Sequence, residues 1–327
     1  ALGLLGWQLF NLKADKAAIL TYERIRAERP NDIEANLRLA TLFERNDNMA
    51  SSDAALARVD AQSGISVGAR RESLALSGRN RNTEWVTSWV RAPSLAERQL
   101  AALNSAFLSQ SRTAYRKGFL IDPGSYYAGL NALLMAVVNE QLALAQPEMW
   151  RDLHEDESEA EVKLKQLTRD RTLLSDAVAF ALEGAEAGGS ADAWFLVSKA
   201  NHLLLTGGSV NRVKAAYERV ANALREEFHR SSEARQLTLL QQLGVFPEAV
   251  AAGLAALGFP SGVELRPLSE PVGLVLLATG HRADSPGKTP PRLPSDAETQ
   301  RRLKATLRRH ITGAREGVQG AVQGGAA

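Results

Sequence analysis

Slid against itself by 34 residues, the N-terminal part of the chain matches size for size. Leu5 falls on Leu39, Gly6 on Ala40, Leu9 on Phe43, Ala18 on Ser52, Tyr22 on Leu56, Ile25 on Val59 and Pro30 on Gly64. Self-similarity at a fixed period of this length marks a repeat architecture, in which each unit buries its apolar face only against its neighbour. The chemistry of the match is that of a helix pair. Small residues let paired helices approach, large apolar ones fill the groove, and Pro30 or Gly64 ends the second helix.

The pattern resembles a tetratricopeptide repeat. Beyond residue 64 the period drifts, but helical spacing continues. Residues 95–110 and 111–120 read as a pair, and 126–144 follows with Leu130, Leu133, Leu134, Val137 and Val138 at helical spacing. Further helices are expected over 162–186, 192–205, 210–228, 231–243 and 246–257, punctuated by Gly188-Gly189 and Gly207-Gly208. The fold class is therefore all-α, a tetratricopeptide-like helical solenoid over residues 1–258.

The stretch AYRKGFLIDPGSYYAGLNAL, residues 114–133, reads as the joint between two packed helices rather than a catalytic loop. Pro123 removes a backbone donor and disfavours helix at Asp122. Ser125 is expected to cap the helix that follows. Gly118 and Gly129 are small residues at helix contacts. Tyr115, Tyr126 and Tyr127 offer flat bodies for packing and hydroxyls for anchoring the turn. Asn131, inside a helix, either ties adjacent helices together or lines a peptide groove.

A change of character falls near residues 258–267. VGLVLLATG is a short continuous apolar run that suits a buried strand. A proline-rich loop follows, and then a basic amphipathic helix over about 296–311, with Leu303, Leu307 and Ile311 on one face. Residues 259–327 thus read as a linker plus the incomplete start of an α/β, Rossmann-like domain. Residues 281–311 carry a net +5 of the chain's +2, leaving −3 on residues 1–280. The strand end Thr279-Gly280-His281, with Asp284, is the best candidate for a nucleotide-type ligand loop, because ligands of open α/β sheets sit beyond the carboxyl ends of strands. Gly313, Gly317 and Gly320 offer a second glycine-rich loop; the plainer reading is a tight turn and a frayed terminus.

Other chemistry is disfavoured. The chain has no cysteine, which removes disulfides and thiolate catalysis and suits a reducing, cytoplasmic setting. None of His154, His202, His229, His281 and His310 sits in a His-Glu-x-x-His zinc motif. The acidic run 152–161 lacks the spacing of a calcium loop and reads as a solvated inter-helix segment. Gly287-Lys288-Thr289 has Arg282 where a P-loop needs its first glycine. The near-balanced charge and the few aromatics beside Arg301–Arg309 argue against nucleic acid. The apolar first ten residues are too few to cross a membrane, and no later stretch reads as a span. The chain begins with Ala and is read as a fragment of a longer protein. No cofactor or metal is expected.

Tyr115-Arg116-Lys117-Gly118-Phe119, Asp122-Pro123 and Tyr126-Tyr127-x-Gly129-Leu130-Asn131 together resemble the TRAFs-binding, tetratricopeptide-type regulatory region of apoptosis signal-regulating kinases and bacterial repeat proteins. Gly78-Arg79 with Trp85, then Asp192-x-Trp194, then Arg235-Gln236-Leu237 agree with it in order, as does the Thr279–Pro294 segment with the α/β domain fused behind the repeats in bacterial members. Leu293 and Arg282 depart from the pattern. The resemblance implies a regulatory scaffold with a protein partner, a peptide or helix. It carries over no catalytic residue, so the chain is expected not to be an enzyme. The alternative is a nucleotide sensor or enzyme whose site lies in the C-terminal unit.

Overall fold

The computed structural model describes residues 2–224 and 227–259. Fourteen helices and no strand occupy them. The first four, α1 (Leu2–Asn11), α2 (Asp15–Glu28), α3 (Ile33–Arg45) and α4 (Met49–Asp60), are two hairpins.

The 34-residue offset holds down to single backbone atoms. The turn inside each hairpin carries one left-handed non-glycine residue, Lys13 (φ 55°) in the first and Asp47 (φ 55°) in the second. The next amide then closes the same bond: Ala14 N donates to Leu9 O at 3.0 Å, and Asn48 N to Phe43 O at 2.8 Å. A left-handed conformation at such a residue costs on the order of 1 kcal/mol. It persists because these bonds satisfy carbonyls that the helix end would otherwise orphan. Asp32 and Asn48 cap α3 and α4, accepting from Ala35 N (2.9 Å) and Ser51 N (3.1 Å). Ala18, Tyr22 and Ile25 are buried in α2, and Ser52, Leu56 and Val59 in α4, as the offset requires.

α5 (Val67–Trp89) joins two apolar clusters. Ala69 and Leu76 pack on the α1–α4 cluster, while Trp85, Val86 and Trp89 belong to the second. Helical spacing does not reveal α5, because it faces protein on two sides and buries Ser73, Asn80, Asn82 and Thr83 as well as apolar groups. The next pair is α6 (Leu95–Asn104) and α7 (Ala106–Ile121). The break between them is at Ser105, extended at φ −78°, ψ 119°, and not at residue 110.

α8 (Tyr126–Ala145) lies at the centre of the second cluster, against α6, α7, α9 (Pro147–Asp152), α10 (Glu157–Ala187) and α11 (Ala193–Leu205). At 20 residues and a mean hydropathy of 1.3, α8 does reach membrane length, contrary to the sequence expectation. Burial explains its composition, since 83% of that window is inside the protein. The acidic run also differs from expectation. Only residues 153–156 connect helices, and Glu157 and Glu159 lie in the first turn of α10, where the helix dipole favours acids. Asp156 caps that turn, accepting from Glu159 N at 2.7 Å.

α12 (Val210–Ala223), α13 (Glu227–Gln242) and α14 (Pro247–Leu257) complete the fold. The chain then returns on itself. Arg98 Nε and Gln99 Nε2 of α6 donate to the carbonyls of Gln242 and Leu243, each at 2.9 Å. Nearest-neighbour stacking therefore describes α1–α5, while α6, α7, α9, α10 and α11 gather around α8 and α12–α14 pack on from α11. The expected strand, proline-rich loop and basic helix all lie outside the described residues.

Candidate functional site

Most of the sequence motif residues meet at one joint, where α5, α7 and α8 pack. A Cβ on Gly78 would stand 2.9 Å from the ring of Tyr115, and Ser111 Oγ donates to Gly78 O at 2.9 Å. The same device recurs at Gly6 against Tyr22 and Gly253 against Tyr217, each with 2.9 Å left for a Cβ. Burial pushes the Tyr115 phenol well above its ordinary range and that of Tyr127, its electrostatic neighbour, up to about 12. Both phenols therefore stay neutral and act as packing and dipolar groups.

Arg79, next to Gly78, turns to α3 and pairs with Glu44 at 3.2 Å. Thr83 Oγ1 donates to the same carboxylate at 3.3 Å. Asn80 Nδ2 donates to Ser52 Oγ (2.8 Å) and Asp53 Oδ1 (2.9 Å), and Arg81 pairs with Asp53 and Glu84. These bonds form a polar seam between α3–α4 and α5. Its charges answer one another, as buried polar groups must, so the seam is mainly a device for register.

The turn after α7 is pinned by Asp122, which pairs with Arg71 of α5. Both groups are about one-third exposed, so Asp122→Ala is expected to cost about 1 kcal/mol, measurable by urea denaturation. Pro123 is exposed, and Gly118 leaves only ordinary contact distance to Leu74 Cβ, 3.5 Å. Ser125 does not cap α8 by a side-chain bond. Asn131 is fully buried and donates to Tyr127 O, one turn back in its own helix, at 3.0 Å. Tyr126 points the other way and meets Phe195 of α11 edge-on at 6.1 Å, with Trp194 partly buried beside that core. Gly129 faces α7 and α10. These residues are thus joints for five helices rather than a converging reactive set. Thr279, Gly280, His281 and Asp284 lie outside the described residues.

Beside this joint, α5 and α7 enclose an open groove of about 410 Å³. Leu74 and Ala114 give it apolar walls, Ser77, Ser109, Gln110 and Thr113 a polar rim, and Arg81 and Lys117 its charges. Arg81 is already neutralised by its two acids, whereas exposed Lys117 is in no ion pair among the described residues. The sequence reading missed this groove because it did not resolve α5 as a helix. Once α5 is placed, positions 74, 77 and 81 on it and 110, 114 and 117 on α7 line up at helical spacing, but their mixed chemistry marks neither set in the sequence. The groove can hold an extended segment. Hydroxyls and amides suit its backbone, and Lys117 suits an acidic side chain. No group of three or more His, Asp or Glu residues is placed to hold a metal among the described residues.

Residues 15–137 match a family model described as tetratricopeptide repeats-sensor. No curated protein matches the chain. The matched span runs from the start of α2 into α8 and includes the whole groove and the polar seam. The chain therefore carries a tetratricopeptide-type helical region.

Proposed function

We propose that this chain is a non-enzymatic regulatory scaffold, cytoplasmic and of the TRAFs-binding kind, that grips a protein segment and positions a C-terminal effector or sensor unit. The observation that carries the reading is the α5–α7 groove inside the tetratricopeptide-type region. Its apolar walls, hydroxyl rim and unpaired Lys117 suit an extended acidic peptide. Repeat proteins use such surfaces to bind extended segments or helices, and a few anchors supply most of the affinity.

The test is fluorescence anisotropy of the full chain against an array of extended acidic peptides. Lys117→Glu is expected to weaken the best binder at least tenfold, a loss of about 1.4 kcal/mol. Thr113→Trp, which fills the groove from an exposed position, is expected to do the same. Undiminished binding by both variants would remove the groove from consideration.

A second reading draws on the word sensor in the matched description. In it the repeats relay occupancy of a nucleotide-type ligand loop at Thr279, Gly280, His281 and Asp284. A thermal shift of the full chain by a nucleotide, abolished by His281→Ala, is the result that this reading expects.

A further inference from the structure

α10 is 31 residues long, and only one side of it is used by the fold. Leu167, Leu174, Val178, Ala181 and Leu182 face the core. On the opposite side stand Leu173 at 57% exposure and Phe180 at 78%, the most exposed large apolar residue described. Seven residues apart, they share one face of the helix, with exposed Ala177 and Gly184 beside them. A Cβ added at Gly184 would meet nothing within 4 Å. The result is an apolar ridge with a shallow shelf of small residues along one edge. Contiguous exposed apolar surface of this kind marks an interaction site.

The charges around the ridge select its occupant. Asp176 and Glu183, both exposed and also seven residues apart, run along the other edge, and neither is in an ion pair among the described residues. Asp170 is answered by the Arg112 charge of α7, and Arg169 stands at the N-terminal end of the ridge. The surface therefore calls for a helix with an apolar stripe and basic flanks. The chain contains one such sequence outside the described residues, RRLKATLRRHI at 301–311. At helical spacing Leu303, Leu307 and Ile311 share a face. Arg301 and Arg308, again seven apart, fall on one flank of it, at the pitch of Asp176 and Glu183. The 41 residues between Phe259 and Arg301 span up to roughly 140 Å when extended, against roughly 46 Å for the whole of α10. Every point of the ridge is within their reach.

We propose that the Leu173–Phe180 ridge of α10 is the docking surface for residues 301–311 of the same chain, held there as an amphipathic helix with Arg301 and Arg308 on Asp176 and Glu183. Docking of an apolar helix face with flanking charge pairs is a common recognition mode. Here it straps the C-terminal part of the chain to the helical scaffold, at a surface separate from the α5–α7 groove.

The chain has no cysteine, so Ala177→Cys with Thr306→Cys places one thiol on each side of the contact. Oxidised at low protein concentration, this full-length variant is expected to form an intramolecular disulfide in most molecules, read as a faster-migrating monomer on a non-reducing gel. Adding Phe180→Asp is expected to lower the yield at least tenfold while circular dichroism stays unchanged, because Phe180 is already exposed. Asp176→Arg with Glu183→Arg is expected to lower it likewise, and Arg301→Glu with Arg308→Glu in the same chain to restore it. Absence of the disulfide, or a yield indifferent to Phe180→Asp, overturns the proposal. A disulfide formed only between molecules also overturns it, and assigns the ridge to a second copy of the chain.

Discussion

A Gly129→Leu protein is expected to lose at least about 3 kcal/mol of stability, at the upper end of what overpacking a core costs. Gly129 is buried in α8 at the crossing of three helices. Even a Cβ there would stand 2.7 Å from Val178 Cγ2 of α10 and 2.9 Å from Phe119 Cε2 of α7. Both neighbours are themselves buried, Val178 at 0% exposure and Phe119 at 3%, so neither can swing into solvent. Leucine adds three more heavy atoms, and α8 cannot shift to make room, because it is held on its other sides by α6, α9 and α11. Gly129→Ala tests the same contact more gently. Alanine gains about 1 kcal/mol of helix propensity over glycine, which offsets part of the clash. Urea denaturation of the two variants is expected to rank them wild type, alanine, leucine. A leucine variant as stable as the parent would mean that α8 and α10 do not approach as described.

Stability is also expected to fall as pH rises from acid to neutral, through one carboxyl group. Glu233 of α13 is fully buried. Burial pushes its carboxyl up from 4.5 to about 7, and the Asn201 amide pulls the other way with less effect. Asn201 also accepts a hydrogen bond from the Tyr217 hydroxyl at 2.5 Å, so the carboxyl sits in a small polar pocket of α11, α12 and α13. Below pH 4.5 both folded and unfolded chains hold the proton. Between pH 4.5 and about 7 the unfolded chain releases it first, so the folded state loses ground. Above about pH 7 the loss levels off, near 3 kcal/mol at 1.36 kcal/mol per pH unit. Glu233→Gln keeps the shape and cannot ionise. It is expected to match the parent near pH 4 and to exceed it by about 3 kcal/mol at pH 8. Urea denaturation at the two pH values checks this. Parallel pH profiles for parent and variant would show that the carboxyl is hydrated rather than buried.

The repeat was legible because its cause is local. Residues 34 apart occupy equivalent places in successive hairpins, so size classes recur, and with them the turns at Lys13 and Asp47. The joint at residues 114–133 was legible for a similar reason, since Pro123 and Asp122 end a helix by their own backbone chemistry. α5 was not legible. Its buried Asn80 and Asn82 look like surface residues until their partners are known, and those partners, Ser52 and Asp53 for Asn80 and Met135 for Asn82, are 27 or more residues away. The groove depends on α5, so it was hidden too. Asn131 shows the limit from the other side. Its type announced a buried amide, but only the coordinates show that it bonds within its own helix.

By itself, then, the chain's residue pattern determined that helices would form, where most of them end, and that the first four stack in order. Those outcomes follow from periodicity and caps within a few turns of chain. Tertiary structure alone decided that α6, α7 and α9–α11 close around α8, that Arg98 and Gln99 reach back to the end of α13, and that Phe180 is left in solvent while Leu182 beside it is buried. Such choices depend on which surfaces meet across tens of residues of chain, and 144 for Arg98 and Gln99, and no local spacing records that.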